Sequence, residues 1–248
     1  MSLPQLVISN PPHGAVDPRR AAPVLGLLPV ELGLKAGYAI PEIWLAQPDA
    51  SGPAAELAAA GLNLTIVPAE EFRDLPTQQP VDGFAFEGTR LVVEQDGAES
   101  IITPGLPVVA VACTPAGQGE GTGASGAFVD LYVHLDGVLR RYGVVQGVTD
   151  LSGLAGVAML SATARLAKFV SDCEARLTRA VVDRRLLHLQ LRRRVAAPPA
   201  GQPQRKGFSY ASAGFRDLMA QLSPDLADSS QPEVCSRLVY LTRRNEGA

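Results

Sequence analysis

Three histidines, three cysteines and one glycine-rich string are the residues whose types and spacing come closest to a chemical site in this chain. His13, His134 and His188 lie far apart, and none has a second His, a Cys or a carboxylate at metal-ligand spacing. His134 stands two residues before Asp136 and four after Asp130, which would orient an imidazole on the outer side of a strand. A solvated hairpin face is the simpler reading of the same residues. Cys113, Cys173 and Cys235 are too few and too widely spaced for a disulfide framework or a zinc site. A sparse, odd set suits a reducing, cytoplasmic compartment. Each cysteine reads as a small buried hydrophobe, with Cys113 at a strand end where reactivity would matter. Gly121-Thr122-Gly123-Ala124-Ser125-Gly126 satisfies the dinucleotide fingerprint as a string. That motif works only between a strand and a helix whose N-terminus receives the pyrophosphate. A strand is predicted to follow here, and no Lys completes a P-loop, so the string reads as an inter-strand loop. Glu70-Glu71 fall in a predicted linker with nothing to hold them rigid for acid–base work. No G-x-S-x-G elbow presents a serine nucleophile. The sequence predicts no catalytic residue, no metal ligand and no cofactor.

The densest chemical feature is basic: Arg184, Arg185, Arg192, Arg193, Arg194, Arg205 and Lys206. Such density suits the phosphates of nucleic acid or of anionic lipid head groups. No aromatic residues interleave for base stacking. Leu187, Leu189 and Leu191 alternate with His188, Gln190 and Arg192, which suits a strand, while the Arg-rich flanks would also suit a helix. The cluster is read as solvated or partner-facing surface, with binding of an anionic polymer or membrane surface as the alternative. The net charge of −3 hides a division along the chain. Residues 1–133 carry 5 basic and 15 acidic side chains, and residues 134–248 carry 17 and 10. Such a division can hold two parts together or stack copies head to tail.

The elements that must position these residues follow from 248 residues, 46% apolar and only 5% aromatic. That suits one large domain or two ordinary ones, with cores of Val, Leu, Ile and Ala. The start MSLPQLVISN lacks the marks of a signal peptide. The apolar runs Leu106–Cys113 and Leu154–Leu160 are about half the length that crosses a bilayer. A soluble α+β protein without a transmembrane segment is expected.

The first part reads β-α-α-β-α-β. Leu6-Val7-Ile8 is a strand ended by Asn10-Pro11-Pro12. Asp17-Pro18 starts a short helix, limited by Pro23 and Pro29. Glu31–Ala39 reads as a second helix and Ile43–Ala46 as a strand. Pro53–Ala60 is a helix with Gly61 at its C′ position, and Leu62–Val67 is a strand. This order, with Gly33-Leu34-Lys35-Ala36 and Ala55-Glu56-Leu57-Ala58-Ala59-Ala60-Gly61, makes residues 5–68 resemble the C-terminal domain of the bacterial ribosomal stalk protein. It is also similar to the small fold of the related Clp protease adaptor. In the stalk domain lysines on the helices contact translation factors; here Lys35 alone remains. The resemblance implies a small interaction module rather than an enzyme.

Residues 69–80 read as a polar linker, and 81–195 as a β-rich domain with a helix. Phe84, Phe86 and Leu91–Val93 flank a Glu87-Gly88 turn, Gln95-Asp96-Gly97 makes another, and Phe128–Leu135 pairs with Val138–Val148 through Asp136-Gly137, the strongest hairpin signal. Val129, Leu131, Val133 and Leu135 are expected inside; Asp130, Tyr132 and His134 outside. Ser161 or Thr163 caps a helix with the stripe Leu166, Phe169, Val170, Cys173 and Leu177. Antiparallel strands followed by one amphipathic helix make residues 82–178 similar in architecture to a pleckstrin-homology-like domain. Residues 196–207 read as a flexible linker, and 208–248 as a helical tail. There Phe215, Leu218, Met219 and Leu222 form one stripe and Val234, Leu238 and Leu241 another. Phe215, Leu218 and Leu222, with the basic cluster, are the expected partner-binding residues. The sequence therefore favours a non-enzymatic adaptor or assembly component that binds protein or itself. Anionic polymer or lipid binding is the alternative, and an enzyme using Cys113, or His134 with Asp130, the third reading.

Overall fold

The chain enters as β1 (Gln5–Asn10), then α1 (Pro18–Leu25), α2 (Pro29–Ala36), β2 (Ile43–Gln47), α3 (Ser51–Ala59) and β3 (Asn63–Pro68). These are the six elements expected, in the expected order. The computed structural model describes residues 3–36, 40–116, 126–154, 156, 160–190 and 213–246. Asp17 caps α1, its carboxylate accepting from the Arg19 and Arg20 amides, with Pro18 in the first turn. Pro23 sits inside α1 instead of limiting it, and left-handed Gly26 ends the helix. A short helix loses only one intrahelical bond to such a proline.

The three strands pair antiparallel in the order β2-β1-β3. Leu6, Val7 and Ile8 are all fully buried, so both faces of this sheet are covered. On one face Trp44 and Leu62 pack with Ala21, Ala22, Leu25, Leu32 and Leu57 of the helices. The expected linker is largely structured. Ala69–Arg73 forms α4, which buries Ala69 and Phe72, and Gln79–Pro80 forms a short strand, β4.

The β-rich part continues with β5 (Gly83–Glu87), β6 (Arg90–Gln95), β7 (Ala98–Ile102), β8 (Val108–Ala116), β9 (Phe128–Leu135) and β10 (Val138–Val145). Helix α5 (Ala162–Arg176) and strand β11 (Ala180–Gln190) close it. Strands β5-β6-β7 form an antiparallel meander. The other sheet runs β11-β8-β9-β10-β4 and is mixed, because β11 lies parallel to β8 and β4 parallel to β10. Both Asp-Gly hairpins have positive φ at both residues, Asp96-Gly97 and Asp136-Gly137, as a type I′ turn requires. Ser161 caps α5, and the predicted stripe is buried against the inner faces of the meander and the five-stranded sheet. Phe169 packs at ring-centroid distances of 4.4 Å from Phe84 and 5.9 Å from Phe86. The Tyr142 hydroxyl donates to Ser100 Oγ, joining the two sheets at 2.8 Å.

The chain ends in α6 (Ala213–Leu222), α7 (Pro224–Ala227) and α8 (Gln231–Arg243). The chain divides into two compact units, residues 1–74 with 192–242 and residues 75–191 with 243–248. The C-terminal helices thus belong to the same unit as the N-terminal module and are no separate tail. Ten of the thirteen residues of α8 are buried, a helix enclosed on all sides. Its Arg237 donates to the Phe72 carbonyl of α4 and to Glu233.

Gly61 follows α3 with φ +91°, and a Cβ there would fall 2.5 Å from the Ala15 carbonyl oxygen. Gly61→Ala is expected to destabilise the protein by more than about 1 kcal/mol, read as a lower urea midpoint at unchanged m-value.

Candidate functional site

The most concentrated polar chemistry in the described residues lies on the second face of the five-stranded sheet. The two-residue turn at Asp136-Gly137 pairs Leu135 with Val138, and this register sets Tyr132 opposite Arg141 and Asp130 opposite Gly143. Val111 of β8 is the other neighbour of Asp130 and is itself flanked by Asp183 of β11. One row across the sheet therefore reads Asp183, Val111, Asp130, Gly143. The next holds Val109, Tyr132 and Arg141.

Asp130, expected on a solvated face, is fully buried, and Tyr132 is buried with it. The inward set Val129, Leu131 and Val133 is buried as expected, so this strand is covered on both sides. Arg141, also fully buried, donates from Nε at 3.0 Å and from Nη2 at 2.7 Å to Asp130 Oδ2. Gln78 Nε2 donates to Asp130 Oδ1 at 2.7 Å. The Arg141 guanidinium stands 5.4 Å from the centre of the Tyr132 ring. Gly143 makes room for Gln78: a Cβ there would fall 2.6 Å from Gln78 Cγ. Among the described contacts Asp130 thus accepts three N–H bonds away from water, two of them from a charged guanidinium.

At the far strand, Asp183 Oδ1 accepts the Arg185 amide, and Oδ2 accepts Arg185 Nε at 2.7 Å and Arg243 Nε at 2.9 Å. Burial pulls the Arg185 guanidinium below its ordinary value despite the carboxylate beside it. Burial also opposes the charge on Arg243, but its bonds to Asp183 and Glu246 outweigh this and hold its pKa up. Arg184 is bound on the surface to Glu174, Nη2 to Oε2 at 2.7 Å, and this bond holds the Glu174 carboxyl below its usual range.

The sequence-predicted residues separate accordingly. Arg184 and Arg185 lie on strand β11, which settles that segment as strand to Gln190, and both are ion-paired. Arg192, Arg193, Arg194, Arg205 and Lys206 lie outside the described residues, as do residues 121–125 of the glycine string and the side chain of Lys35. Phe215, Leu218 and Leu222 are buried, which takes them out of the exposed surface expected of a docking stripe. His134 is exposed while Asp130 is buried and held by Arg141, so the structure does not bring that pair together. His13 Nε2 lies 3.0 Å from Asn63 Nδ2, which makes it the acceptor of an amide N–H. Cys113, Cys173 and Cys235 are all buried. Burial pushes the Cys173 thiol well above its ordinary range. Among the described residues, no group of three or more His, Cys, Asp or Glu is placed to hold a metal ion. No described helix is long and apolar enough to cross a membrane.

Comparison with known proteins produced no match: no family model, no curated protein and no solved structure is detectably similar to the chain.

Asp130→Asn leaves the Arg141 guanidinium buried without its counter-charge and is expected to cost about 3–5 kcal/mol. Replacing the pair together, as Asp130→Leu with Arg141→Met, is expected to cost less than Asp130→Asn alone, because no buried charge is stranded. Urea denaturation of the three variants reads both effects. The native thiols are expected to resist an aromatic disulfide reagent and all three to label once the protein unfolds, because buried thiols meet neither water nor reagent.

Proposed function

We propose that the protein is a non-enzymatic adaptor or assembly component that works by protein–protein contact. The observation that carries this reading is the pair Leu28 and Val30, which are 62% and 66% exposed. They flank Pro29 at the start of α2, while Leu25 and Leu32 on the same two helices are buried. Single exposed apolar residues are ordinary on a protein surface. Two beside a proline whose φ is fixed make a small patch of set shape. The Glu31 carboxylate accepts the Leu28 amide at 3.0 Å and holds the turn in place.

The element order of β1 to β3 supports the likeness to the ribosomal stalk domain and the Clp adaptor fold, both small interaction modules. The meander, the β9–β10 hairpin and α5 support the pleckstrin-homology-like reading of residues 82–178, although the parallel pairing of β11 with β8 departs from an all-antiparallel plan. Anionic polymer or lipid binding rests on fewer residues, since Arg184 and Arg185 already serve Glu174 and Asp183. The enzyme reading has lost its sequence candidates, with Cys113 interior and Asp130 committed to Arg141.

Cross-linked affinity capture from cells expressing the tagged full chain tests the proposal. Leu28→Asp with Val30→Asp is expected to fold with the wild-type urea midpoint and to lose captured proteins. An identical capture profile for the folded double variant and the wild type would overturn the assignment to this patch and the reading it carries.

A further inference from the structure

The outward face of the meander carries a conflict. The register of β5, β6 and β7 places Gly83, Glu94 and Glu99 in one row and Ala85, Val92 and Ile101 in the next. The inner face holds Phe84 and Val93 with Ser100, then Phe86, Leu91 and Ile102. Glu94 and Glu99 are therefore two exposed carboxylates directly opposite each other on neighbouring strands. The Asp96-Gly97 turn closes on Gln95 and Ala98 as a hydrogen-bonded pair. The next pair, Glu94 with Glu99, is then the non-bonded kind, whose side chains stand closest. In keeping with this, the Glu94 carbonyl turns toward β5 and accepts the Asp82 amide at 2.9 Å. Like charges so placed destabilise a sheet. Neither carboxylate is in an ion pair among the described residues. Residues 82–102 hold five acidic side chains against the single Arg90. A charge on an edge strand is an ordinary guard against strand pairing. Glu94, however, stands on the central strand, where it guards no edge.

The same alternation fixes what the other edge of β7 offers. Among the described residues β7 pairs with β6 alone. Val93 with Ser100 is a bonded pair and Val92 with Ile101 a non-bonded one. The amides and carbonyls of Glu99 and Ile101 therefore point away from β6. No backbone bond among the described residues takes them up. Their side chains share the outward face, where Ile101 is 48% exposed. Two residues thus present four backbone groups, one carboxylate and one apolar side chain in a fixed order. An extended segment laid along this edge meets all of them at once. Backbone bonds hold it, and its alternate side chains decide whether it fits. A cation opposite Glu99 lies beside the like-charge row, and an aliphatic residue two positions on covers Ile101. An acidic segment would add a third like charge to that row and is rejected by it.

We infer that β7 is the docking edge for an extended basic segment of a partner protein. In that segment a lysine or arginine lies opposite Glu99, and an aliphatic residue two positions away lies against Ile101. This rests on the reading of the protein as one that works by protein–protein contact, and adds to α2 a second surface of different chemistry. Amide correlation spectra of the isotope-labelled full-length chain test it with two short blocked peptides. One has lysine at its centre, valine two positions to either side and threonine between them, so that it fits in either direction. The other has glutamate in place of the lysine. The lysine peptide is expected to shift the Glu99 and Ile101 amide signals saturably and to slow their exchange with solvent. Its binding is expected to weaken as salt rises. The glutamate peptide is expected to bind about tenfold more weakly. Glu94→Lys with Glu99→Lys rebuilds the row with the opposite sign and is expected to prefer the glutamate peptide. Unchanged Glu99 and Ile101 signals, equal affinity for both peptides, or a folded double variant that still prefers the lysine peptide would each overturn the inference. The comparison of two peptides on the wild type needs no variant to fold. The outcome is separable from the capture experiment, which reads Leu28 and Val30 and leaves β7 intact.

Discussion

A carboxylate in the middle of a sheet covered on both faces has no water to solvate it, and its counter-charge must come from the fold itself. Asp130 meets that demand with Arg141, and much of unit 2 is arranged around the result. The ion pair is diagonal across β9 and β10, so it exists in only one register of the hairpin. A one-residue slip would turn either partner to the opposite face. The remaining carboxylate oxygen is met by Gln78, whose side chain crosses β10 where Gly143 leaves space. That contact brings the segment leading to β4 alongside β10, where Val81 donates its amide to the Gly143 carbonyl and Thr149 donates its hydroxyl to the Val81 carbonyl. Apolar residues at 130 and 141 would fill the volume equally well, but they would not reject the slipped pairings.

The same demand recurs at the other side of the sheet, with Asp183 held by Arg185 and Arg243. Arg243 belongs to the second unit although the rest of α8 belongs to the first. The chain leaves unit 1 for unit 2 at Asp74, returns after Leu191 and crosses again at Arg243. This threading also dissolves the charge division of the linear sequence. Counted over their own residues, the units carry 11 basic against 12 acidic and 11 against 13 side chains, or −1 and −2. The acidic half and the basic half of the chain are therefore not two oppositely charged bodies. Electrostatic attraction in the assembled protein must be local, between particular rows of side chains.

Much of the fold was legible because its signals are local. Asp17-Pro18, Gly61, both Asp-Gly turns and the Leu166–Leu177 stripe each specify an element from a few neighbouring residues. The Ala69–Arg73 helix was missed because Glu70-Glu71 and the flanking prolines mask a single turn with only Ala69 and Phe72 buried. The docking of α6 to α8 was missed because burial on all sides depends on contacts remote in sequence, which no local pattern encodes. Leu218 and Leu222 read as a stripe seeking a partner, and the partner is their own unit. The Asp130–Arg141 pair is a different case. The Asp136-Gly137 turn alone implies that positions 130, 132 and 141 share one face, so opposite charges there were readable. Asp130 was assigned to solvent because strict alternation suggests one wet face, whereas a sheet covered on both sides obeys no such rule. Gln78 and Gly143 carried no such signal, since their role appears only when β4 is placed beside β10.

Commitment of the buried carboxylates and enclosure of the thiols limit where binding can occur. The buried Asp130 and Asp183 are engaged by arginines, and the cysteines are enclosed. A partner gains little from groups whose bonds are already made, because it would have to break them before replacing them. Surface groups that the fold leaves in an unfavourable state behave differently. Leu28 and Val30 hold apolar area in water, and Glu94 and Glu99 hold like charges face to face. Each is destabilising in the isolated chain, and each cost is removed by contact with a surface of the right kind. The first asks for an apolar surface and the second for a cation on an extended strand. Because one is relieved by hydrophobic burial and the other by charge, salt separates them. Raising it weakens relief by charge and leaves relief by hydrophobic burial in place or strengthens it.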